Sequence, residues 1–388
     1  MKYCVKCMQP DTRPFLSFDN DGVCAACRIH DEIPKIDWSE RERQLRKIAD
    51  WARSNAQGGF DCVVGVSGGK DSHFQAFYAR ERLGLKALLV NCAPDNITEV
   101  GRQNLENLVQ HGFDMISFRP NPKIMRAVTK RAFIEYGNPV KPSEYPLYAV
   151  SYQAALRFGI PLIVQGENPA STLGIVDNID PDDDALNIRY HNTLGGGNSN
   201  DWTQEGIELK DLIFYQFPDS VELRKRVRAI FLSYYAKEWS YTGNTECSVS
   251  FGLHGRPGHD PDLTGRLSQY CSVDSDMQIV NQMLKYYKFG FGFVTDEVCY
   301  YIREGRMSRE EGIKLIEQYD GKCGNRYIQE FCKYIGITDE EFWRVTDQWV
   351  NKKLFEKNTS HGKWEPLFRV GEDIDEEQPN NCSKCKAV

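Results

Sequence analysis

The sequence predicts an α/β fold with a doubly wound parallel sheet, a cysteine-rich N-terminal module and a helical C-terminal domain. Strand-like and helical runs alternate from residue 61 to about residue 165. That alternation is typical of a parallel sheet with helices on both faces. Two cysteine pairs stand within the first 27 residues, and from about residue 275 the apolar residues recur at helical spacing.

The bulk composition describes an ordinary globular protein. The chain has 388 residues, 41% of them hydrophobic and 27% charged, which is enough for more than one domain. The net charge of −7 argues against nucleic acid as the main partner. We find no signal-peptide pattern and no apolar run of membrane-spanning length. Together with thirteen cysteines, this predicts a cytoplasmic protein in a reducing compartment.

The N-terminal module, residues 1–35, carries a metal-site spacing. Cys4 and Cys7 form one C-x-x-C pair, Cys24 and Cys27 form the second, and sixteen residues separate the pairs. This spacing predicts a tetrahedral four-thiolate zinc site, with an iron–sulfur cluster or redox thiols as alternatives. The intervening stretch 19–22 predicts a hairpin turn. The module is too short for its own core, so zinc would be structural and would stabilise its fold.

The central domain, residues 36–240, begins with a charged amphipathic helix over residues 36–55. The predicted strands are Asp61–Val66, Lys86–Asn91, Asp114–Phe118 and Pro161–Gln165, and the predicted helices lie near 70–83, 98–111, 122–136 and 147–158. A further strand over residues 228–235 completes the sheet. Ligands of such sheets bind beyond the carboxyl ends of the strands. One ligand site should therefore be lined by three strand ends, namely the Ser67 loop, Asn91-Cys92 and Gly166–Asn168.

The loop Ser67–Ser72, S-G-G-K-D-S, joins an apolar strand to a helix. The N–H groups of a helix N-terminus and the helix dipole attract anions, and the two glycines allow close approach of a phosphate. The loop adds the hydroxyls of Ser67 and Ser72, the charge of Lys70 and a candidate metal ligand, Asp71. Its spacing is not that of a Walker A motif. It predicts a phosphate site, with an ordinary strand-to-helix turn as the alternative.

The C-terminal domain, residues 241–370, should be mainly helical. Ser308–Glu311 and Thr338–Glu341 are capping boxes that predict two helix starts. The aromatic and basic segment Lys285–Phe293 could bind a base and a phosphate, but helix packing is the default interpretation.

Two polar stretches leave alternatives open. Residues 177–200 are acidic and then glycine-rich, and they could form a lid over the substrate or a surface insertion. The acidic tail, residues 371–388, contains Cys382 and Cys385. One cysteine pair cannot complete a tetrahedral site, so the tail is interpreted as flexible or as half of a shared site.

The S-G-G-x-D-S loop resembles that of the PP-loop ATP pyrophosphatases, which hold the β,γ-pyrophosphate while a substrate oxygen attacks the α-phosphate. With the cysteine pairs, the strand end Val164–Asn168 and the segment Tyr286–Gly292, the chain is similar to the N-acetyl sugar amidotransferase family over about residues 3–322. The type it resembles acts in bacterial lipopolysaccharide O-antigen synthesis. Phe293-Val294 departs from the family pattern of a basic residue followed by a small one.

The resemblance implies an adenine nucleotide alpha hydrolase fold and an enzyme that uses ATP, Mg²⁺ and Zn²⁺. It implies conversion of an acetamido group on a nucleotide-linked sugar to an acetamidino group. Ammonia would come from a separate glutaminase with a cyclase-like barrel, similar to the two halves of imidazole glycerol phosphate synthase.

The resemblance also implies roles for single residues. The pyrophosphate would be bound by Ser67, Gly68, Gly69 and Ser72. Lys70 would neutralise its charge, and Asp71 would bind Mg²⁺. Asn91 would lie beside the adenine, and Gly166 would belong to the nucleotide site. Glu167 would contact the metal or deprotonate ammonia, although a strand-end residue can also simply cap the next turn.

Two rival functions remain at this point. A tRNA-modifying PP-loop enzyme, such as a thiolase, also joins zinc knuckles to this loop. The acidic net charge counts against it. The other rival is a non-catalytic scaffold that binds a nucleotide, and the intact loop Ser67–Ser72 counts against that function.

Overall fold

The structure is a computed structural model that describes residues 1–57, 59–94, 96–174, 183–190 and 194–374. Cys382, Cys385 and residues 177–182 and 191–193 of the predicted lid lie outside the described residues. Within the described ranges, no helix combines the length and the apolar character needed to cross a membrane.

The centre of the molecule is a five-stranded parallel sheet. Its strands are β1 Cys62–Val66, β2 Ala87–Cys92, β3 Asp114–Phe118, β4 Leu162–Gln165 and β5 Arg228–Phe231. Their order is β3-β2-β1-β4-β5, and every neighbouring pair is parallel. The chain therefore builds the sheet outward from β1 on one side and then on the other. The switch point lies between β1 and β4, where doubly wound sheets bind ligands.

The helices surround this sheet and fill the C-terminal half. They are α1 Ala25–Glu32, α2 Trp38–Asn55, α3 Lys70–Phe77, α4 Glu99–Gln110, α5 Pro122–Tyr136, α6 Lys141–Phe158, α7 Pro169–Leu173, α8 Ser220–Arg226, α9 Leu232–Tyr235, α10 Tyr241–Ser250, α11 Pro261–Thr264, α12 Met277–Phe289, α13 Phe293–Arg303, α14 Arg309–Tyr319, α15 Asn325–Ile335 and α16 Asp339–Trp349. Short 3-10 turns cover Ile33–Lys35, Ala185–Tyr190, Ser199–Trp202 and Leu209–Tyr215, and a π turn covers Tyr78–Arg82. A hairpin of β6 Phe355–Lys357 and β7 Trp364–Pro366 follows α16.

Both faces of the inner strands β1, β2 and β4 are buried, as the alternation of strands and helices predicts. Val64 on β1 packs in a core that also contains residues of α2, α3 and α4. Its neighbour Val63 points to the opposite face and packs in a second core with residues of α6. Successive strand side chains point to opposite faces. The α/β prediction with helices on both faces is therefore confirmed.

Strand β5 is shorter than the sequence predicted, because it ends at Phe231 and not at residue 235. The backbone N–H of Ser233 donates to the carbonyl of Gly166 at 3.0 Å. The Ser233 hydroxyl accepts from the N–H of Asn168 at 3.1 Å. The chain turns into α9 here, and this turn ties the carboxyl end of β4 in place.

Helix α6 begins at Lys141, six residues before the predicted start near residue 147. Pro142 lies in its first turn, where the missing N–H needs no helical partner. Pro146 lies inside the helix. The helix therefore includes both prolines and begins earlier than predicted.

The C-terminal half is helical as predicted, and both capping boxes are present. The side chains of Ser308 and Thr338 each accept from the backbone N–H three residues later. The helices share a core with α5 of the sheet domain. In this core Phe133 stacks on Phe342, with their ring centroids 5.2 Å apart. In the segment 285–293, Lys288 donates to the carbonyl of Tyr136 at 2.7 Å. This agrees with the packing interpretation of that segment.

Candidate active site and metal centre

The loop after β1 has a conformation that requires glycine at position 68. Gly68 has a φ of +92°, in the left-handed region. A Cβ at this position would lie 2.7 Å from the carbonyl oxygen of Gly101 in α4. The side chain of Asn104 donates to the Gly68 carbonyl at 3.0 Å. The loop is thus held against α4 by contacts that leave no room for a side chain.

Helix α3 begins directly after this loop. The Ser72 hydroxyl donates to the carbonyl of Gly69 at 2.9 Å and accepts from the N–H of Ser67 at 3.4 Å. No side chain caps the N-terminus of α3 at Gly69. Within the described part of the chain, the first N–H groups of α3 are therefore available to an anion.

Lys70 and Asp71 lie together in the first turn of α3. Lys70 Nζ donates to Asp71 Oδ1 at 2.6 Å, and the ammonium lies 4.4 Å from the ring centroid of Tyr241. The Asn244 amide donates to the same Asp71 oxygen at 2.8 Å, and the Ser248 hydroxyl donates to the Lys70 carbonyl at 2.6 Å. Helix α10 therefore positions the charged pair of the loop.

The charge of Lys70 is maintained despite burial. Burial alone would lower the pKa of the ammonium, but the charge of Asp71 and the hydrogen bond to it raise that pKa above the usual value. Lys70 therefore supplies a positive charge beside the loop.

A cavity of about 630 Å³ opens beside the loop. Of the predicted site residues, it is lined by Ser67, Gly69, Lys70, Asp71, Ser72 and Glu167. The strand ends of β1 and β4 are neighbours in the sheet, so the loop and Glu167 meet as the sequence predicted. Gly68, Asn91 and Gly166 do not line this cavity.

Glu167 extends from the end of β4 into the cavity. Desolvation raises the pKa of its carboxyl to about 6, and the charge of Asp71 acts in the same direction. Lys70 and a hydrogen bond from Thr172 oppose the shift. A carboxylate with a raised pKa is a stronger base than an ordinary glutamate, which suits a general base.

Asn91 and Gly166 have packing roles in the structure. Asn91 is buried, its amide donates to the Val66 carbonyl at 2.7 Å, and its oxygen accepts from Ser117 at 3.0 Å. A Cβ on Gly166 would lie 2.3 Å from Gln75 and 2.7 Å from Trp239. The two residues support the strand ends, and their contacts with a nucleotide stay predictions.

The C-terminal half supplies cavity residues that the sequence did not identify. Tyr241, Asn244, Cys271, Asp274 and Arg303 line the cavity. The Tyr241 hydroxyl lies 2.7 Å from the Cys271 thiol. Burial raises the pKa of Asp274 to about 6. No motif spacing links these residues to the loop, because only long-range folding brings them there.

The four predicted metal ligands form one buried cluster. The Sγ atoms of Cys4, Cys7, Cys24 and Cys27 all lie within 4.8 Å of one another. The Cys4–Cys27 and Cys7–Cys24 sulfur distances are 3.9 and 3.7 Å. A tetrahedral zinc site with Zn–S bonds of about 2.3 Å has edges of about 3.8 Å. The donor set and its spacing therefore fit a tetrahedral ion such as zinc.

The backbone around the cluster has the form of paired knuckles. The N–H of Gln9 donates to Cys7 Sγ at 3.4 Å, and the N–H of Cys24 donates to Cys4 Sγ at 3.3 Å. These bonds stabilise thiolate charge. The predicted turn is present, because the N–H of Gly22 donates to the Asp19 carbonyl at 3.1 Å.

Part of the chain matches the model of a known protein family. Residues 264–370 match the family model of the LPS biosynthesis protein WbpG-like, C-terminal domain. No curated protein matches this chain. The matched segment contains Cys271, Asp274 and Arg303 of the cavity. The match therefore relates the C-terminal part of the site to an LPS biosynthesis family.

Proposed function

We propose that this protein is an ATP-dependent amidotransferase that converts an acetamido group of a nucleotide-linked sugar to an acetamidino group. The observation that carries the proposal is the shared cavity of the Ser67–Ser72 loop and Glu167. The loop supplies a seat for pyrophosphate, and Glu167 supplies a base on the neighbouring strand end.

The proposed chemistry solves a specific problem, because an amide carbon is a poor electrophile and its oxygen a poor leaving group. The amide oxygen attacks the α-phosphorus of ATP, an O–P bond forms and pyrophosphate leaves. Ammonia then attacks the amide carbon, a nitrogen proton passes to a base, and the C–O bond breaks to release AMP. The original amide oxygen departs in AMP.

The residues have separate tasks in this proposal. The backbone of the loop and the hydroxyls of Ser67 and Ser72 hold the pyrophosphate, and Lys70 neutralises its charge. Asp71 would hold Mg²⁺, which would supply charge stabilisation for phosphoryl transfer. Glu167 accepts the proton from ammonia.

The family match supports a place for this reaction in lipopolysaccharide biosynthesis, as in O-antigen assembly. Free ammonia is mostly protonated at neutral pH and is then not a nucleophile. We therefore propose that a separate glutaminase with a cyclase-like barrel supplies ammonia to the cavity, similar to the two halves of imidazole glycerol phosphate synthase.

Product analysis tests the proposal. The purified protein is given ATP, Mg²⁺, ammonium salt at raised pH and a panel of UDP-acetamido sugars. AMP, pyrophosphate and a sugar with NH in place of oxygen are expected. Asp71→Ala should abolish AMP formation while Asp262→Ala, at an exposed aspartate of α11, should not. Formation of ADP and phosphate would contradict the proposal.

The same assay separates the rivals. AMP formation that depends on tRNA and not on a sugar would favour an RNA-modifying enzyme. Absence of ATP turnover with every partner present would favour a nucleotide-binding scaffold.

A further inference from the structure

One wall of the cavity is built by the cysteine module and the chain that follows it. The cavity-lining residues between Ala26 and Arg41, here called the α1 wall, come from α1, the turn Ile33–Lys35 and the start of α2. The ATP chemistry proposed above assigns no ligand to this wall.

The α1 wall lies on the β5 side of the sheet. Arg41 on α2 donates to the carbonyl of Tyr234 at 2.5 Å, and Tyr234 lies in the helix that follows β5. In the sheet, β4 separates β5 from β1, so their ends are about 10 Å apart. Glu167 follows β4. The cavity thus runs from the phosphate loop, past Glu167, to the α1 wall.

The α1 wall combines apolar surface with a positioned cation. Ile29, Ile33 and Trp38 supply apolar and aromatic surface. The Arg41 guanidinium carbon lies 3.7 Å from the ring centroid of Tyr234 and 5.5 Å from that of Trp38. The aromatic rings therefore hold the guanidinium in a defined position.

Two more cations face this part of the cavity, Lys237 and Arg303. Among the described residues, neither they nor Arg41 form an ion pair with a carboxylate. The nearby carboxylate of Glu304 already accepts from the Tyr241 N–H at 2.7 Å and the Thr242 hydroxyl at 2.6 Å. Arg303 lies near the sulfurs of Cys7 and Cys27. In the described part of the chain Arg41 and Lys237 have no carboxylate partner, and cations of this kind beside a flat aromatic surface suit a planar base joined to phosphates.

We propose that the α1 wall binds the nucleoside diphosphate part of the acceptor and directs its sugar toward Glu167. This inference rests on the proposed function, and it places the acceptor and ATP on opposite sides of Glu167. Such a placement brings the acetamido oxygen between the two, where it must meet the α-phosphate.

The cysteine cluster adjoins this wall. Cys24 precedes the first residue of α1, and Cys27 lies in its first turn. A Cβ on Gly174 would lie 2.7 Å from the backbone nitrogen of Ala26, so α1 packs directly on the chain after α7. The cysteine module therefore belongs to the acceptor site as well as to the fold.

The test measures ligand binding by calorimetry for two probes, UDP and a non-hydrolysable ATP analogue. Arg41→Ala and Trp38→Ala change the α1 wall. Arg46→Ala and Trp51→Ala are matched controls on the same helix, because both side chains are exposed. Arg41→Ala should weaken UDP binding about tenfold to a hundredfold, as expected for loss of a charged hydrogen bond. Trp38→Ala should weaken it less, and both should leave the ATP analogue unaffected.

Three outcomes would overturn the inference. If UDP affinity is the same in wild type and in the folded Arg41→Ala and Trp38→Ala variants, the wall does not bind the acceptor, and the proposed function stands. If the variants weaken binding of the ATP analogue as much as binding of UDP, the wall binds ATP. If wild type binds no UDP or UDP-sugar but still forms AMP with another acceptor, both this inference and the nucleotide-sugar part of the proposed function fail.

Discussion

Asn244 donates a hydrogen bond of 2.8 Å to Oδ1 of Asp71, the same oxygen that Lys70 contacts at 2.6 Å. Asn244 itself is buried. The bond links α10, outside the sheet domain, to the first turn of α3. The orientation of the candidate metal ligand therefore depends on a residue 173 positions further along the chain.

We expect Asn244→Ala to lower kcat for AMP formation about tenfold to a hundredfold, since it removes a hydrogen bond to a charged group. Because Asn244 positions Asp71, the variant should also need more Mg²⁺ for half-maximal rate. Ser250→Ala, on the exposed end of the same helix, is the control. An unchanged Mg²⁺ requirement in Asn244→Ala would show that the bond has no positioning role.

Gly68→Ala should distort the phosphate loop. The new Cβ would meet the Gly101 carbonyl at 2.7 Å, in addition to the strain of a φ of +92°. Gly112→Ala is a matched control, because Gly112 has a φ of +86° and open space around its Cβ position. Both variants should lose about 1 to 2 kcal/mol from backbone strain.

The additional clash should cost Gly68→Ala about 1 to 3 kcal/mol more and abolish ATP turnover. Denaturant unfolding and AMP assays measure both effects. Equal stability and equal turnover in the two variants would show that the Gly101 carbonyl does not exclude a side chain at position 68.

Cys7→Ser should remove the bound metal, because a tetrahedral thiolate site loses affinity with any one ligand. Zinc content by mass spectrometry should fall from about one ion per chain to near zero. Cys247→Ser, at a half-buried cysteine of α10 outside the cluster, should keep its zinc. Since the cluster supports the α1 wall, UDP binding should weaken as well. Retention of stoichiometric zinc in Cys7→Ser would rule out the four-cysteine site.

Glu297 should make stability depend on pH. It is fully buried and accepts from Tyr241 at 2.7 Å and from the N–H groups of Leu267 and Ser268 at 2.6 and 2.9 Å. Desolvation raises its pKa from 4.5 to about 7. The unfolded chain therefore ionises at lower pH than the folded one.

The contribution of Glu297 to stability is thus fully present below pH 4.5 and is lost as the pH rises through about 7. Relative to Glu297→Gln, the free energy of unfolding of wild type should fall by about 1 to 3 kcal/mol between these limits. Exposed Glu356→Gln is the control. If the free energies of unfolding of wild type and Glu297→Gln change in parallel with pH, the pKa of Glu297 is not raised by folding.

The sequence predicted those parts of the site that local patterns determine. The Ser67–Ser72 loop, the β4 end with Glu167 and the cysteine pairs each depend on a few neighbouring residues. The parallel sheet follows from alternation, and its geometry then brings Glu167 beside the loop.

The remaining wall residues could not be predicted, because they reach the cavity only through tertiary packing. Tyr241 and Asp274 lie in segments without strand-end or glycine-loop signals, and the α1 wall depends on how the cysteine module docks. The predicted end of β5 was wrong for a related reason. Tyr234 and Tyr235 favour strands, but the hydrogen bond from Ser233 to Gly166 turns the chain into a helix.

The most direct test of the proposed function follows the acetamido oxygen. A UDP-acetamido sugar labelled with a heavy oxygen isotope in its acetamido group is turned over with ATP, Mg²⁺ and ammonia, and the products are analysed by mass spectrometry. The proposed chemistry predicts the label in AMP and not in pyrophosphate, together with an unlabelled acetamidino sugar. Unlabelled AMP, or ADP and phosphate as products, would contradict it.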